Sequence, residues 1–242
     1  MSQEVKVRGV ADIVFIVDVT GSMQPCIDAL RENIKVFIDT ISSNDANNGS
    51  PVKDWRGRVI GYRDYKADGE KEWIIDNPFV RDATALKAQL GLLEAKGGGD
   101  EPESLLDALY LVAKSEDCAK GEADNEHKWR SRGAAARVVV VFTDATYHPT
   151  MSIPSASGGK ASDVKNAIIQ AKIRLSIFAP ELPCYDELSD LPHSELTLIP
   201  LNGATPIAAL EAFTREKANF KATLEQLAKS VSQSSYDIPS SD

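Results

Sequence analysis

The chain has 242 residues, of which 43% are hydrophobic and 26% charged, so it is long enough to bury a sizeable core. Its formal net charge of −9 argues against nucleic acid as a partner, because phosphate binding needs a basic surface, and it is compatible with a cation site. The three cysteines are far apart and indicate neither disulfides nor a zinc site, and no apolar run approaches the ~18 residues of a membrane span, so we expect a cytoplasmic protein without a membrane segment.

The first predicted element is a strand over residues 13–17, five apolar residues that run directly into Asp18. A short apolar run that ends at a turn signal is typical of a strand buried on both faces. An ionised carboxylate is costly in an apolar interior, so we expect Asp18 just past the end of this strand. Thr20 and Ser22 follow in the same loop, and a carboxylate with two hydroxyls offers hard oxygen ligands suited to Mg²⁺, Ca²⁺ or Mn²⁺. The alternative is a strand-end Asp followed by ordinary helix caps.

Helical and strand patterns then alternate along the chain. Apolar residues at spacings of three or four predict helices from residue 22 to about 42, over 82–95, over 104–114, over 161–171 and from 206 to about 232. Short apolar runs predict strands over 56–62, 137–142, 174–179 and 195–201, with a hairpin from the first of these to an edge strand within 72–80. This alternation predicts an α/β fold: a mostly parallel sheet with one antiparallel edge strand and helices on both faces.

The strand over 137–142 is the second that is apolar throughout, and it too is followed by an acid, Asp144. Open parallel sheets bind ligands at the carboxyl ends of their strands, where the strand order reverses. Asp18 and Asp144 therefore converge if their strands are neighbours. The polar segment over 115–133 is predicted to be a surface insertion, with Trp129 packed back onto the domain.

Three stretches of the chain resemble the von Willebrand factor A (vWA) domain family. The pattern Asp18-x-Thr20-x-Ser22 resembles the D-x-[ST]-x-S signature that opens the metal-ion-dependent adhesion site (MIDAS) of these domains. The run GGGDEPE at 97–103, followed by Leu-Asp-Ala-Leu, is similar to the second loop of that site, most of all to the Asp-x-Pro-Glu of integrin β-subunit I-like domains. The run VFTDA at 141–145 is similar to the third loop. The motifs occur in the family's order.

This resemblance implies a Rossmann-like vWA fold in a single domain over residues 1–232. The polar residues 233–242 are expected to form a flexible tail or linker. It also implies a site for Mg²⁺, or for Ca²⁺ or Mn²⁺ in its place, formed by five residues: Asp18, Thr20, Ser22, Glu103 and Asp144. In that family an Asp or Glu of a protein partner completes the coordination of the metal. The resemblance therefore implies a metal-dependent protein-binding module and not an enzyme.

A second cation site beside the first is a further expectation from the resemblance, with Asp64, Asp100 and Pro102 at the matching positions. The alternative for Asp64, which lies between two basic residues, is a surface ion pair. His148 is placed four residues after Asp144, where it faces the rim of the site or packs within its loop.

Two alternatives to a binding module stay open. A strand-end Asp with Mg²⁺ is also how aspartyl-phosphate hydrolases begin, although the second acid that they need two residues later is Thr20 in this chain. The other alternative is a scaffold subunit that holds no metal.

Overall fold

The computed structural model describes residues 9–43, 52–97 and 101–236, with only the backbone described for 233–236. Within these residues the strands are β1 (Val10–Asp18), β2 (Asp54–Tyr62), β3 (Ile74–Asp76), β4 (Ala136–Phe142), β5 (Ile173–Pro180) and β6 (Glu195–Ile199). The α-helices are α1 (Gln24–Ser42), α2 (Tyr65–Asp68), α3 (Ala83–Gly91), α4 (Leu105–Lys114), α5 (Ala161–Gln170), α6 (Pro206–Arg215) and α7 (Lys217–Tyr236). Short 3₁₀ helices occupy Gly21–Met23 and Pro183–Leu188.

The strands form one sheet in the order β3-β2-β1-β4-β5-β6. Every neighbouring pair is parallel except β2 and β3, which are antiparallel at the edge. The predicted α/β class, with a mostly parallel sheet and one antiparallel edge strand, is therefore confirmed, and the order is that of a Rossmann-like fold. The chain leaves β1 toward one edge and returns at β4 to build the other half. The strand order thus reverses between β1 and β4.

Helices cover both faces of the sheet. Alternate side chains of β1 point to opposite faces, with Phe15 packed on Phe37 of α1 (ring centroids 5.3 Å apart) and Ile16 in the cluster of α4 and α5. Helices α1, α3, α6 and α7 share the first cluster. Because β1 and β4 are buried on both faces, their sequences are apolar without alternation.

The predicted surface insertion is anchored to the fold by its tryptophan. Trp129 is fully buried, and its Nε1 donates a hydrogen bond of 3.0 Å to the carbonyl of Val112 at the end of α4. The guanidinium of Arg137 lies 5.5 Å from the Trp129 ring centroid. The prediction that Trp129 packs back onto the domain is confirmed.

The long helix predicted to close the domain is two helices. Glu216 leaves the helical conformation (φ −81°, ψ 79°) between α6 and α7. Just before it, the Thr214 hydroxyl donates to the carbonyls of Leu210 and Glu211, an alternative to the regular helical pattern. Helix α7 then continues to Tyr236, so residues 233–236 are helical and not part of the predicted tail. Residues 237–242 lie outside the described residues.

No helix in the described part of the chain is long and apolar enough to cross a membrane.

Candidate functional site

Three loops meet at the carboxyl ends of β1 and β4. Asp18 is the last residue of β1, and Asp144 follows the end of β4, its neighbour in the sheet. Glu103 lies just before α4, and its peptide N–H donates a hydrogen bond of 2.9 Å to the carbonyl of Thr146. The N–H of His148 donates to the carbonyl of Glu103 at 3.0 Å. β1 and β4 are neighbours, which is the condition for Asp18 and Asp144 to converge, and the Glu103 segment is attached to the loop after β4.

Asp18 is a buried member of β1 and not a residue beyond its end, so this part of the prediction is wrong. Its side chain is 0% exposed. Its Oδ1 accepts hydrogen bonds from the N–H (2.9 Å) and the hydroxyl (2.7 Å) of Thr20. Its Oδ2 accepts from the hydroxyl of Thr143 at 2.9 Å and from that of Tyr62 at 3.4 Å. These donors offset the cost of burying the carboxylate.

Asp144 is also buried, but its carboxylate is only partly engaged. The interaction with the Ser22 side chain lowers the pKa of Asp144, while burial raises the pKa by more. Asp144 Oδ2 has no hydrogen-bond partner within the described residues. The structure therefore brings together the predicted residues Ser22 and Asp144 and leaves one buried carboxylate oxygen without a donor.

Glu103, in the loop before α4, also has a buried carboxylate oxygen without a hydrogen-bond partner among the described residues. The residue is 4% exposed, and this oxygen is its Oε2. The pKa of Glu103 is raised to about 9, mainly by burial and then by the charges of Asp18 and Asp64. Burial, followed by the charge of Asp144, raises the pKa of Asp18 to about 6. The carboxylates at this edge thus disfavour one another's ionised forms.

The donor set at this edge suits a hard divalent cation. Among the residues that the structure describes, no group of three or more His, Cys, Asp or Glu side chains is arranged to hold a metal ion. Of the three carboxylates predicted as ligands, Asp18 is engaged by its four donors, whereas Glu103 and Asp144 each retain an oxygen without a hydrogen-bond partner among the described residues. An ion here would also need the hydroxyl oxygens of Thr20 and Ser22, which are ligands of the kind that Mg²⁺ and Ca²⁺ accept.

The residues of the expected second cation site have a different environment. Asp64 is 5% exposed, and its Oδ1 accepts hydrogen bonds from the N–H of Lys66 (3.0 Å), the hydroxyl of Ser104 (3.1 Å) and, at 2.8 Å, contacts Nε2 of His148. The alternative of a surface ion pair is wrong, because Asp64 is buried against a histidine. Pro102 is half-buried, and Asp100 lies outside the described residues.

Sequence reasoning missed the residues that support Asp18. Thr143 directly precedes the predicted ligand Asp144, and this position next to the site is the signal that marks its hydroxyl as a candidate donor to Asp18. Tyr62 is 44 residues away in sequence from Asp18 and faces it only because β1 and β2 pair in that register. No local pattern marks Tyr62 as part of the site.

No family model and no curated protein matches this chain. Two solved structures are similar to it in arrangement. One is proximal thread matrix protein 1 from the mussel byssus, at 12% identity and a TM-score of 0.48, over 87% of this chain and 47% of that one. The other is the pilus adhesin SpaC from Lactobacillus rhamnosus GG in an open conformation, at 15% identity and a TM-score of 0.47, over 92% of this chain and 31% of that one. The chain thus spans about half and about a third of these proteins, and similarities this low carry no functional information.

Proposed function

We propose that this chain is a vWA domain that binds a protein partner through a divalent cation held at the carboxyl ends of β1 and β4. The support is a pair of buried oxygens, Oε2 of Glu103 and Oδ2 of Asp144, that have no hydrogen-bond partner in the described residues. A buried, ionised carboxylate oxygen is costly unless a donor or a metal neutralises it. Mg²⁺ is the proposed ion, with Ca²⁺ or Mn²⁺ able to replace it.

Each predicted ligand has a distinct proposed role. Glu103 and Asp144 would supply the charged oxygens, and Thr20 and Ser22 would add their hydroxyls. The four donors on Asp18 occupy its carboxylate, so Asp18 would orient Thr20 and hold negative charge behind the ion. Mg²⁺ takes six oxygens and keeps several waters, so the protein's side chains leave coordination positions for exchange. A carboxylate of a partner protein can replace one of these waters.

The surroundings favour binding over hydrolysis. An aspartyl-phosphate hydrolase needs a general acid two residues after its Asp, and here the Thr20 hydroxyl donates its hydrogen bond to Asp18. His148 is the histidine placed nearest by the loop after β4, and its two ring nitrogens contact Asp64 and Lys66. Neither group is free to transfer a proton to a substrate at the metal. The proposal is accordingly a binding site without a catalytic step.

The direct test is thermal unfolding with Mg²⁺, with Ca²⁺ and with EDTA, for the wild type and for Asp144→Asn. A ligand that binds only the folded state adds RT ln(1 + [L]/Kd), or ~2.7 kcal/mol at a hundredfold excess over Kd. We expect the wild type to gain stability with millimolar metal and Asp144→Asn to gain none. Asp39→Asn, which changes an exposed Asp paired with Lys35 on α1, is the matched control and should respond like the wild type.

Partner binding is tested next, with the metal-loaded protein and peptides that carry Asp or Glu. Binding should vanish in EDTA and in Asp144→Asn, and peptides with Asn or Gln at the acidic position should not bind. If the wild type shows no stabilisation by millimolar Mg²⁺ or Ca²⁺, the metal-dependent module is excluded and the metal-free scaffold becomes the better account.

A further inference from the structure

Behind the proposed metal site, one carboxylate oxygen joins three loops. Asp64 Oδ1 accepts from the N–H of Lys66, two residues later, from the hydroxyl of Ser104 in the loop before α4, and contacts His148 from the loop after β4. The Ser104 oxygen in turn accepts a hydrogen bond of 2.9 Å from the N–H of Tyr65. We call the side chains of Asp64, Ser104, His148 and Lys66 the Asp64 junction.

The contacts of His148 define which of its ring nitrogens carries the proton. Lys66 Nζ lies 3.3 Å from Nδ1 of His148, and an ammonium can only donate, so Nδ1 accepts. Nε2 lies 2.8 Å from Asp64 Oδ1 and must then donate. The imidazole is therefore the neutral Nε2–H tautomer, and it connects a lysine ammonium to a carboxylate. His148 is 9% exposed and Asp64 5%, so their contact is largely shielded from water, whereas Lys66 is exposed.

The same histidine is attached to the backbone of Glu103. The N–H of His148 donates to the Glu103 carbonyl at 3.0 Å, and the Glu103 N–H donates to the Thr146 carbonyl at 2.9 Å. The next residue, Ser104, is held by Asp64. The backbone N–H and carbonyl of Glu103 are thus both hydrogen-bonded to the 146–148 segment. Its neighbour Ser104 is held by the Asp64 junction.

The loop that carries His148 has a second anchor farther along. Asp107 of α4 is fully buried, and its Oδ1 accepts hydrogen bonds from the N–H groups of Ser152 (2.7 Å) and Ile153 (2.9 Å). The segment from 146 to 153 is therefore tied to the start of α4 at two separate points. The His148 side chain is thus coupled to the Glu103 peptide within a loop that is attached to α4 on both sides.

We propose that His148 is a positioning residue for the metal ligand Glu103, and that Asp64 serves this junction and holds no cation of its own. This rests on the proposed metal site. Asp64 Oδ1 already receives three donors, and the Lys66 ammonium supplies positive charge on the same side. A divalent ion bound at this oxygen would have to displace these donors, and the Lys66 ammonium beside His148 disfavours a further cation nearby. Groups that orient a metal ligand typically change metal affinity by about 10- to 100-fold when they are removed.

The test measures Mn²⁺ binding to the full chain by calorimetry and by the electron paramagnetic resonance spectrum of the bound ion. His148→Phe keeps a ring and removes both hydrogen bonds, and His148→Gln keeps an N–H donor on a side chain that can reach Asp64. We expect His148→Phe to weaken Mn²⁺ binding by about 10- to 100-fold and to alter the spectrum, and His148→Gln to recover most of the affinity. His127→Phe, at an exposed histidine of the insertion, is the matched control and should bind as the wild type does.

Unfolding in EDTA separates positioning from general loss of structure. A purely structural role would lower the stability of the metal-free protein in both His148 variants, without the recovery by Gln. If His148→Phe does not fold, Ser104→Ala provides the test, because it removes a hydrogen bond of the Asp64 junction without changing a charge. Weaker Mn²⁺ binding by this variant supports the inference, and unchanged binding overturns it.

Five results would count against the proposals, and they are distinguishable. Unchanged Mn²⁺ affinity in His148→Phe, or no recovery in His148→Gln, overturns the inference alone. So does a wild type that binds two ions, one of which is lost in Asp64→Asn. A wild type that binds no Mn²⁺, or binds it equally well as Asp144→Asn, overturns the proposed metal site and this inference with it.

Discussion

The hydroxyl of Thr143 donates a hydrogen bond of 2.9 Å to Oδ2 of Asp18, across a separation of 125 residues in sequence. Both residues are buried, with exposed fractions of 1% and 0%. The bond joins the carboxyl ends of β1 and β4 at the point where the strand order reverses. It also determines which way the Asp18 carboxylate faces, and hence how Thr20, bound to the other oxygen, is presented.

Thr143→Val should destabilise the protein by about 1 to 3 kcal/mol, because the change keeps the volume and leaves a buried carboxylate oxygen short of a donor. Urea denaturation in EDTA measures the free energy of unfolding. Thr146→Val is the control, since that hydroxyl contacts the exposed Glu101 and its loss should cost little. A loss in Thr143→Val no larger than in Thr146→Val would show that Asp18 is held by its other donors.

The metal-free protein should lose stability as the pH rises. Glu103 has an ordinary pKa of 4.5 and a folded-state pKa of about 9, and Asp18 goes from 3.8 to about 6. The fold raises the pKa of both acids, so the stability that depends on their protonated forms is fully present below pH ~4. It is lost as the pH rises through about 6 for Asp18 and about 9 for Glu103. Each unit of pKa difference corresponds to ~1.4 kcal/mol.

The comparison of wild type with Glu103→Gln in EDTA isolates the contribution of Glu103. The free energy of unfolding of the wild type should fall more steeply than that of the variant between pH 5.5 and about 8.5, because Gln cannot ionise. Mg²⁺ must displace the retained proton, so calorimetry at pH 7 in buffers of different ionisation enthalpy should show about one proton released per ion. Parallel pH profiles for the two proteins would contradict the raised pKa.

Gly61→Ala should destabilise the fold and weaken metal binding together. A Cβ at Gly61 would lie 2.9 Å from Leu93 Cδ2 and 3.1 Å from Val19 Cγ1, so the packing behind Asp18 must shift. We expect a loss of about 1 to 3 kcal/mol in urea denaturation. Gly91→Ala, at the last residue of α3, has open space around its Cβ and should be neutral or slightly stabilising. Equal stability of the two variants would show that Leu93 and Val19 adjust freely.

Asp12→Ala should reduce stability strongly and leave the intrinsic metal affinity unchanged. Asp12 is fully buried near the start of β1 and accepts hydrogen bonds from Arg56 (2.7 and 2.8 Å) and from the N–H of Arg130 (2.8 Å). Removing it leaves buried guanidinium charge unpaired, which costs about 3 to 5 kcal/mol. Asp12 lies six residues, or roughly 20 Å of strand, from the proposed site.

Urea denaturation measures the loss, and Mn²⁺ titration of the folded variant measures the affinity. Asp39→Ala, which breaks an exposed ion pair with Lys35, is the control and should change stability by no more than about 1 kcal/mol. Reduced Mn²⁺ affinity in a folded Asp12→Ala protein would contradict the independence of the two ends of β1.

The sequence by itself determined the strands and helices that form the layers of this fold. The apolar residues whose spacing predicts α1 are all buried: Ile27, Leu30, Ile34, Phe37, Ile38 and Ile41. The two continuous apolar runs are the central strands β1 and β4. Such patterns are readable because each residue's burial follows the period of its own element. An acid follows the apolar run of each central strand in the sequence. Because β1 and β4 are parallel neighbours, these acids, Asp18 and Asp144, lie at the same edge of the sheet.

Only the tertiary structure decided how those acids are held. Asp18 was expected outside its strand because a buried carboxylate is costly, and it is inside because Tyr62 and Thr143, from the neighbouring strands, supply donors to it. Likewise Asp64 lies between basic residues in sequence and is buried against His148, 84 residues later. Strand order and register create these contacts, and neither is expressed in the local periodicity of the chain.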